Sequence, residues 1–243
     1  MKKLLLYIAV SVLSLSFFTA CQENKSASTL DSTTTVEFVS AMKNVMRLGK
    51  LEGNVLLDTL PKKNLYGIGP VEYLKGELMI MDGTSYISRV ETDSTMTVET
   101  SFDTKAPFFV YAQVEDWEKE TMPNSINNLE TLEAYLDEKF KERDEPFVFR
   151  IEGIIDTAVI HIVNLPEGSK VSSPEEAHQG IVYYSLENEN VELLGFFSRK
   201  HQAVFTHHDT FMHIHLITKN KTMMGHLDEI NFGGSPLTLY WSK

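Results

Sequence analysis

Met212-His213-Ile214-His215-Leu216-Ile217 alternates apolar side chains with imidazoles, and that period of two is the reading on which the fold turns. In an extended strand, residues i and i+2 share one face about 6.6–6.8 Å apart. His213 and His215 therefore point together, while Ile214 and Leu216 face a core. Residues 218–222 (TKNKT) form a polar turn, and the chain returns through Met223 and Met224 to Gly225-His226. A neighbouring strand there sets His226 beside the pair, with Gly225 allowing close backbone approach. An H-x-H pair alone is common on ordinary surfaces; the third histidine one turn away singles this set out. Three neutral imidazoles around an open position are the pattern of catalytic zinc, whereas closed structural sites usually include cysteine. Iron and nickel also accept imidazole.

Working outward, the chain from Pro146 onward is β-rich. Residues 147–151, 157–163, 191–198, 203–206, 212–218 and 237–241 all suit strands. Upstream, Glu77-Leu78-Met79-Ile80-Met81 runs into Asp82-Gly83 and then Thr84 to Arg89, a hairpin with a tight turn. Residues 108–114 form another apolar strand. Residues 36–49 repeat Val36, Val39, Met42, Val45 and Met46 at helical spacing, with Gly49 as the C-cap. Residues 129–143 (LETLEAYLDEKFKER) set leucines against charges at the same spacing, which predicts an exposed amphipathic helix. Helical segments thus separate two β-rich groups. The expectation is an α+β fold of two β-rich sheets with a few flanking helices, divided into an N-terminal half, 36–145, and a C-terminal half, 146–243, carrying the histidines.

The N-terminus reads as an address. Lys2 and Lys3 precede an apolar run, and Phe18-Thr19-Ala20-Cys21 has the small residues and cysteine of a lipobox. Residues 1–20 are expected to be a lipoprotein signal peptide, Cys21 the lipidation site and 21–35 a flexible tether rich in Ser, Thr and Asn. The other reading is an ordinary secretory signal or an uncleaved anchor. Cys21 is the only cysteine, so it has no internal disulfide partner, whereas a thioether-linked lipid gives it a use. The expected location is outside the cytoplasm, anchored to a membrane through the N-terminal lipid and facing the periplasm or the cell exterior. A net charge of −12 argues against nucleic acid as a partner, since phosphate binding needs a basic surface.

The remaining histidines read more blandly. His207 and His208 flank Asp209 in a loop and are expected at the surface, and His178 and His201 sit in polar, solvated segments.

The ordered segments resemble the acetolactate decarboxylase family from about Glu37 to Phe232. Leu51-Glu52-Gly53-Asn54-Val55 looks like the family's start, and Tyr66-Gly67-Ile68-Gly69, Gly76-Glu77-Leu78, Asp82-Gly83 and Tyr86 like its glycine-rich hairpin. Phe149-Arg150-Ile151-Glu152-Gly153 and Gly195-Phe196 are similar to later segments, and His213-x-His215 with Gly225-His226 matches the zinc ligands, interval included. The resemblance implies an acetolactate-decarboxylase-like fold, a homodimer, Zn2+ at His213, His215 and His226, and a small 2-hydroxy-3-keto acid bound through its oxygens. It implies that the metal holds the electrons left when carbon dioxide departs. Glu77 matches the family carboxylate that assists metal binding or proton delivery. His161, in Val159-Ile160-His161-Ile162-Val163, stands where the family has a substrate-facing arginine. A guanidinium offers a fixed charged fork, which an imidazole does not. His161 is therefore a candidate catalytic residue, as hydrogen-bond donor or further ligand; an inward-facing core histidine is the other reading. The family's C-terminal glutamate has no match here.

Three functions follow. The first is zinc-dependent decarboxylation of 2-acetolactate to acetoin, or of a related 2-hydroxy-3-keto acid, by an exported lipoprotein. The second is a non-catalytic, zinc-dependent ligand-binding lipoprotein on the same fold. The third is a structural lipoprotein whose histidines bind nothing.

Overall fold

Alternating side chains over short runs bury one face each, and such strands find their partners by stacking antiparallel ladders. The computed structural model describes residues 34–243. The expected signal peptide, Cys21 and nearly all of the expected tether lie outside the described residues. Thr34 is already buried, and its N–H donates to the Lys243 carbonyl at 2.8 Å.

The elements run β1 (Val36–Val39), α1 (Met42–Leu48), β2 (Val55–Leu56), β3 (Leu65–Pro70), β4 (Glu77–Met81), β5 (Thr84–Val90), β6 (Met96–Thr100), β7 (Lys105–Ala106), β8 (Phe109–Gln113) and β9 (Trp117–Thr121). There follow α2 (Leu129–Lys139), β10 (Phe147–Ile154), β11 (Thr157–Ile162), α3 (Pro174–Ala177), β12 (Val182–Glu187), β13 (Asn190–Phe197), β14 (Met212–Thr218), β15 (Met224–Asn231) and β16 (Thr238–Ser242). One sheet has six strands in the order β1-β8-β3-β4-β5-β6, the other eight in the order β12-β11-β15-β14-β13-β10-β16-β9, and β2 pairs with β7. The α+β expectation of two sheets with few helices holds. β9 and α2, which precede residue 146, belong with the eight-stranded sheet and its core.

The two large sheets meet face to face. Met79, Met81 and Val110 from one pack on Leu194, Phe196, Ile217 and Met224 from the other. The far side of the eight-stranded sheet is covered by α2, whose Leu132 and Leu136 join Met212, Ile214 and Leu216. β14 thus divides as its alternation requires, and its histidine face looks toward the six-stranded sheet. α2 begins at a capping box in which Asn128 accepts from the Thr131 N–H at 2.9 Å.

The hairpin β4–β5 turns through Asp82 and Gly83 with φ of 45° and 72°, the left-handed pair that a two-residue turn needs. Two expectations change. The stretch 36–49 is a strand followed by a helix, because Ser40 takes φ 60° and breaks the run; Gly49 does cap α1 at φ 61°. Residues 203–206 turn rather than extend, with Val204, Phe205 and Thr206 all donating to the His201 carbonyl.

Candidate metal centre

The β14–β15 hairpin builds the centre from local geometry. His215 lies directly opposite His226 in the ladder, and His213 precedes His215 by two on the same face. The three rings have centroids 5.1, 5.1 and 5.5 Å apart, and one nitrogen from each lies within 4.8 Å of the others. Gly225 makes this approach possible. A Cβ there would sit 2.5 Å from the His161 carbonyl oxygen on β11.

All three imidazoles are buried. Burial, with the neighbouring histidines adding to it, holds His213 and His226 well below the ordinary imidazole value and His215 at about 3. They are neutral, lone pairs available, as metal ligands must be. The carbonyls of Phe205 and Leu78 face His213 and His215 and favour the protonated ring, but neither closes a hydrogen bond. Nδ1 of His213 and both ring nitrogens of His215 are buried without a partner. Unpaired buried polar atoms are costly, and three converging imidazoles with unused nitrogens fit a divalent cation.

Glu77 reaches the centre from the other sheet. It shares a face of β4 with Met79 and Met81, and its carboxyl is 3% exposed. Its Oε2 lies 3.7 Å from His215 Nε2, and its Oε1 accepts the Val163 N–H at 3.3 Å. Burial pushes this carboxyl well above its ordinary value, against the pull of the Val163 bond, with Asp228 raising it further.

His161 sits on β11 directly opposite His226, their ring centroids 4.7 Å apart. Its Nδ1 lies 2.8 and 2.7 Å from the two oxygens of Asp228. Its side chain is 12% exposed, faces inward and lines the cleft, paired with Asp228. A cavity of about 110 Å³ brings His161, Glu77, His213, His226 and Asp228 together beneath Phe108. Among the described residues, no lysine or arginine lines it.

Three further titratable residues line the cleft, His178, His207 and Asp228, and sequence reasoning assigns none of them to it. His207, expected at the surface, stacks on His226 at 4.8 Å and lies 6.0 Å from His213, because its loop folds back over the sheet. Burial lowers its pKa. Asp228 was within reach of the sequence, since it follows His226 by two on the same strand. His208 is exposed as expected, while His201 stacks on Phe205 and bonds Ser198 Oγ through Nδ1 at 2.7 Å.

The chain is similar to known proteins in sequence and in fold. The family model for alpha-acetolactate decarboxylase matches residues 38–240. An alpha-acetolactate decarboxylase of Brevibacillus brevis is 26% identical over 202 residues, covering 81% of this chain and 66% of the relative. One from Methanosarcina mazei is 24% identical over 184 residues, covering 76% of this chain and 62% of that relative. The chain therefore spans somewhat under two thirds of the length of these relatives. In fold it is similar to the crystal structure of the alpha-acetolactate decarboxylase from Bacillus subtilis strain 168, with a TM-score of 0.70, 22% identity, and 86% and 85% of the two chains covered. With the family model matching most of its length, the chain belongs to the alpha-acetolactate decarboxylase family.

Proposed function

We propose that His213, His215 and His226 hold a zinc ion and that the cleft beside them decarboxylates a 2-hydroxy-3-keto acid, with 2-acetolactate giving acetoin as the leading case. The observation that carries this is the convergence of three buried imidazoles, within 4.8 Å of one another, on a buried carboxyl from the opposite sheet. A zinc ion held by the three histidines would supply a Lewis acid for the charge left as carbon dioxide departs. The chain's own residues do the rest. Val163 fixes Glu77 through Oε1, which leaves Oε2 to carry a proton and deliver it to the carbon that has lost carbon dioxide. Phe108 and Leu74 wall the cleft and exclude water from that step.

Zinc-loaded protein given racemic acetolactate is expected to release carbon dioxide and form acetoin. Release no faster than in buffer with zinc alone would overturn the enzyme reading. The cleft's lack of a lysine or arginine among the described residues favours a second reading, a zinc-dependent binding lipoprotein without turnover, since no described cation there holds the substrate carboxylate. Tight ligand binding with no chemistry would identify that case.

Export and lipidation at Cys21 belong to the same proposal and rest on the Phe18-Thr19-Ala20-Cys21 pattern. Cells fed radiolabelled palmitate should label the protein, and Cys21→Ala should not label. Equal labelling of the two would remove the anchor.

A further inference from the structure

Asp228 occupies an irregular point in an otherwise regular ladder. Val159 pairs with Glu229 and Ile160 with Leu227, so Asp228 is the extra residue of a β-bulge on β15. Bulges re-aim side chains, and they are frequent beside active sites. This one directs Asp228 at the ring on the neighbouring strand, with both carboxylate oxygens within 2.8 Å of His161 Nδ1. A carboxylate accepts, so Nδ1 carries the hydrogen, and in the neutral ring Nε2 is then the acceptor. Among the described residues Nε2 has no protein partner, and the ring lines the cavity that His213, His226 and Glu77 share.

We propose that His161 and Asp228 form a hydroxyl-receiving pair. Asp228 is the positioning residue that fixes the tautomer, and His161 Nε2 accepts the hydrogen bond of the hydroxyl of a 2-hydroxy acid bound in the cleft. This rests on the reading of the cleft as a 2-hydroxy-3-keto acid site. His178 and His207 also line the cavity, but His161 is the histidine whose tautomer a neighbouring carboxylate fixes so that its other ring nitrogen accepts. Glu77 Oε1 is taken by Val163, and His213, His215 and His226 turn their nitrogens toward one another. A cleft with no fixed cation recognises its ligand through hydrogen bonds and the metal, so the direction of the hydrogen bond at His161 sets specificity for a hydroxyl over a hydrogen at the same carbon.

The test is calorimetric binding of 2-hydroxyisobutyrate and isobutyrate, which differ by that one hydroxyl, to zinc-loaded full-length protein. The variants are His161→Leu, Asp228→Ala and Asp228→Asn. The preference for the hydroxy acid is expected to shrink roughly 3- to 10-fold in His161→Leu and Asp228→Ala, the size of one neutral hydrogen bond. Asparagine keeps an oxygen for Nδ1–H, so Asp228→Asn should restore it. Isobutyrate affinity and zinc content should stay at wild-type levels in all three. Long-range proton–nitrogen NMR should show His161 as the Nδ1–H tautomer, shifting toward Nε2–H in Asp228→Ala. An unchanged preference, a zinc content that falls with it, or an Nε2–H tautomer in the wild type each overturns the proposal. Wild type that binds neither acid overturns the hydroxy-acid reading and this pair with it. A hydroxyl preference intact without carbon dioxide release overturns decarboxylation alone.

Discussion

His215 Nε2 and Glu77 Oε2 lie 3.7 Å apart, and this contact joins a histidine of the eight-stranded sheet to a carboxyl of the six-stranded one. Both groups are buried, one neutral because an imidazolium there is unfavourable and the other pushed toward its protonated form. Burial is the largest cause of both shifts.

Replacing that histidine should separate metal binding from folding. His215→Ala removes one of three ligands and leaves a void beside Glu77. Zinc affinity is expected to fall by more than the roughly 10- to 100-fold typical of losing an outer partner. The rise in melting temperature that zinc gives the wild type should disappear, since only a ligand that binds the folded form stabilises it. Isothermal titration and thermal melts with and without zinc read both effects. A variant that binds zinc like the wild type would remove His215 from the ligand set.

Glu77→Gln keeps the shape and an oxygen for the Val163 N–H but carries no transferable proton. Turnover should drop about 100- to 10,000-fold, the usual worth of a positioned acid or base. Zinc content should change far less than in His215→Ala. Equal losses of metal and turnover would make Glu77 a metal-binding aid rather than a proton donor.

The metal-free protein should lose stability as pH falls from 7 to 5. Unfolded imidazoles take up protons near pH 6.5, while His213, His215 and His226 in the fold refuse them, His215 down to about 3. Their contribution is complete above the unfolded value and drains as acid is added. Each adds up to about 1.4 kcal/mol per pH unit to the slope. Glu77 works oppositely: its raised value gives stability that is full in acid and lost as pH rises. One group opposes three, so the net slope keeps the sign of the histidines. Urea denaturation of the metal-free protein at successive pH values measures it, and a flat profile would contradict buried neutral imidazoles.

Gly225→Ala should harm the centre without touching a ligand. The new methyl would meet the His161 carbonyl oxygen, a rigid backbone atom, at 2.5 Å, so β11 and β15 must part. Stability is expected to fall by about 1–3 kcal/mol, as in other overpacked sites. Zinc affinity should fall with it, because His226 is the next residue. Melting temperature and metal content read both, and wild-type values for the two would mean that the ladder relaxes freely here.

Much of this was legible beforehand because the side chains themselves carry the period. Alternation at 212–218 and the Asp82-Gly83 turn mark their strands without tertiary help. β9 and β12 were not legible. WEKET is an outer strand with little hydrophobic pattern, and in VYYSLE the inward period of Val182, Tyr184 and Leu186 is masked by Tyr183 on the outer face. At 36–49 the apolar spacing is that of a helix throughout, yet the first four residues extend, because β8 offers them a ladder edge. His207 was misplaced for a related reason. Its cleft position is created by a loop closing over a sheet, and no local period records that.

Gly225 and the ladder around it have one more consequence. The three imidazoles lie between residues 213 and 226, on one hairpin, whereas Glu77 is contributed by a strand far away in the chain. Closing the hairpin therefore assembles the cation's cradle at small entropic cost, before the sheets need to meet. Reactivity requires that later meeting. A lineage can consequently retain its metal while shedding its chemistry, by drift at the docking face alone.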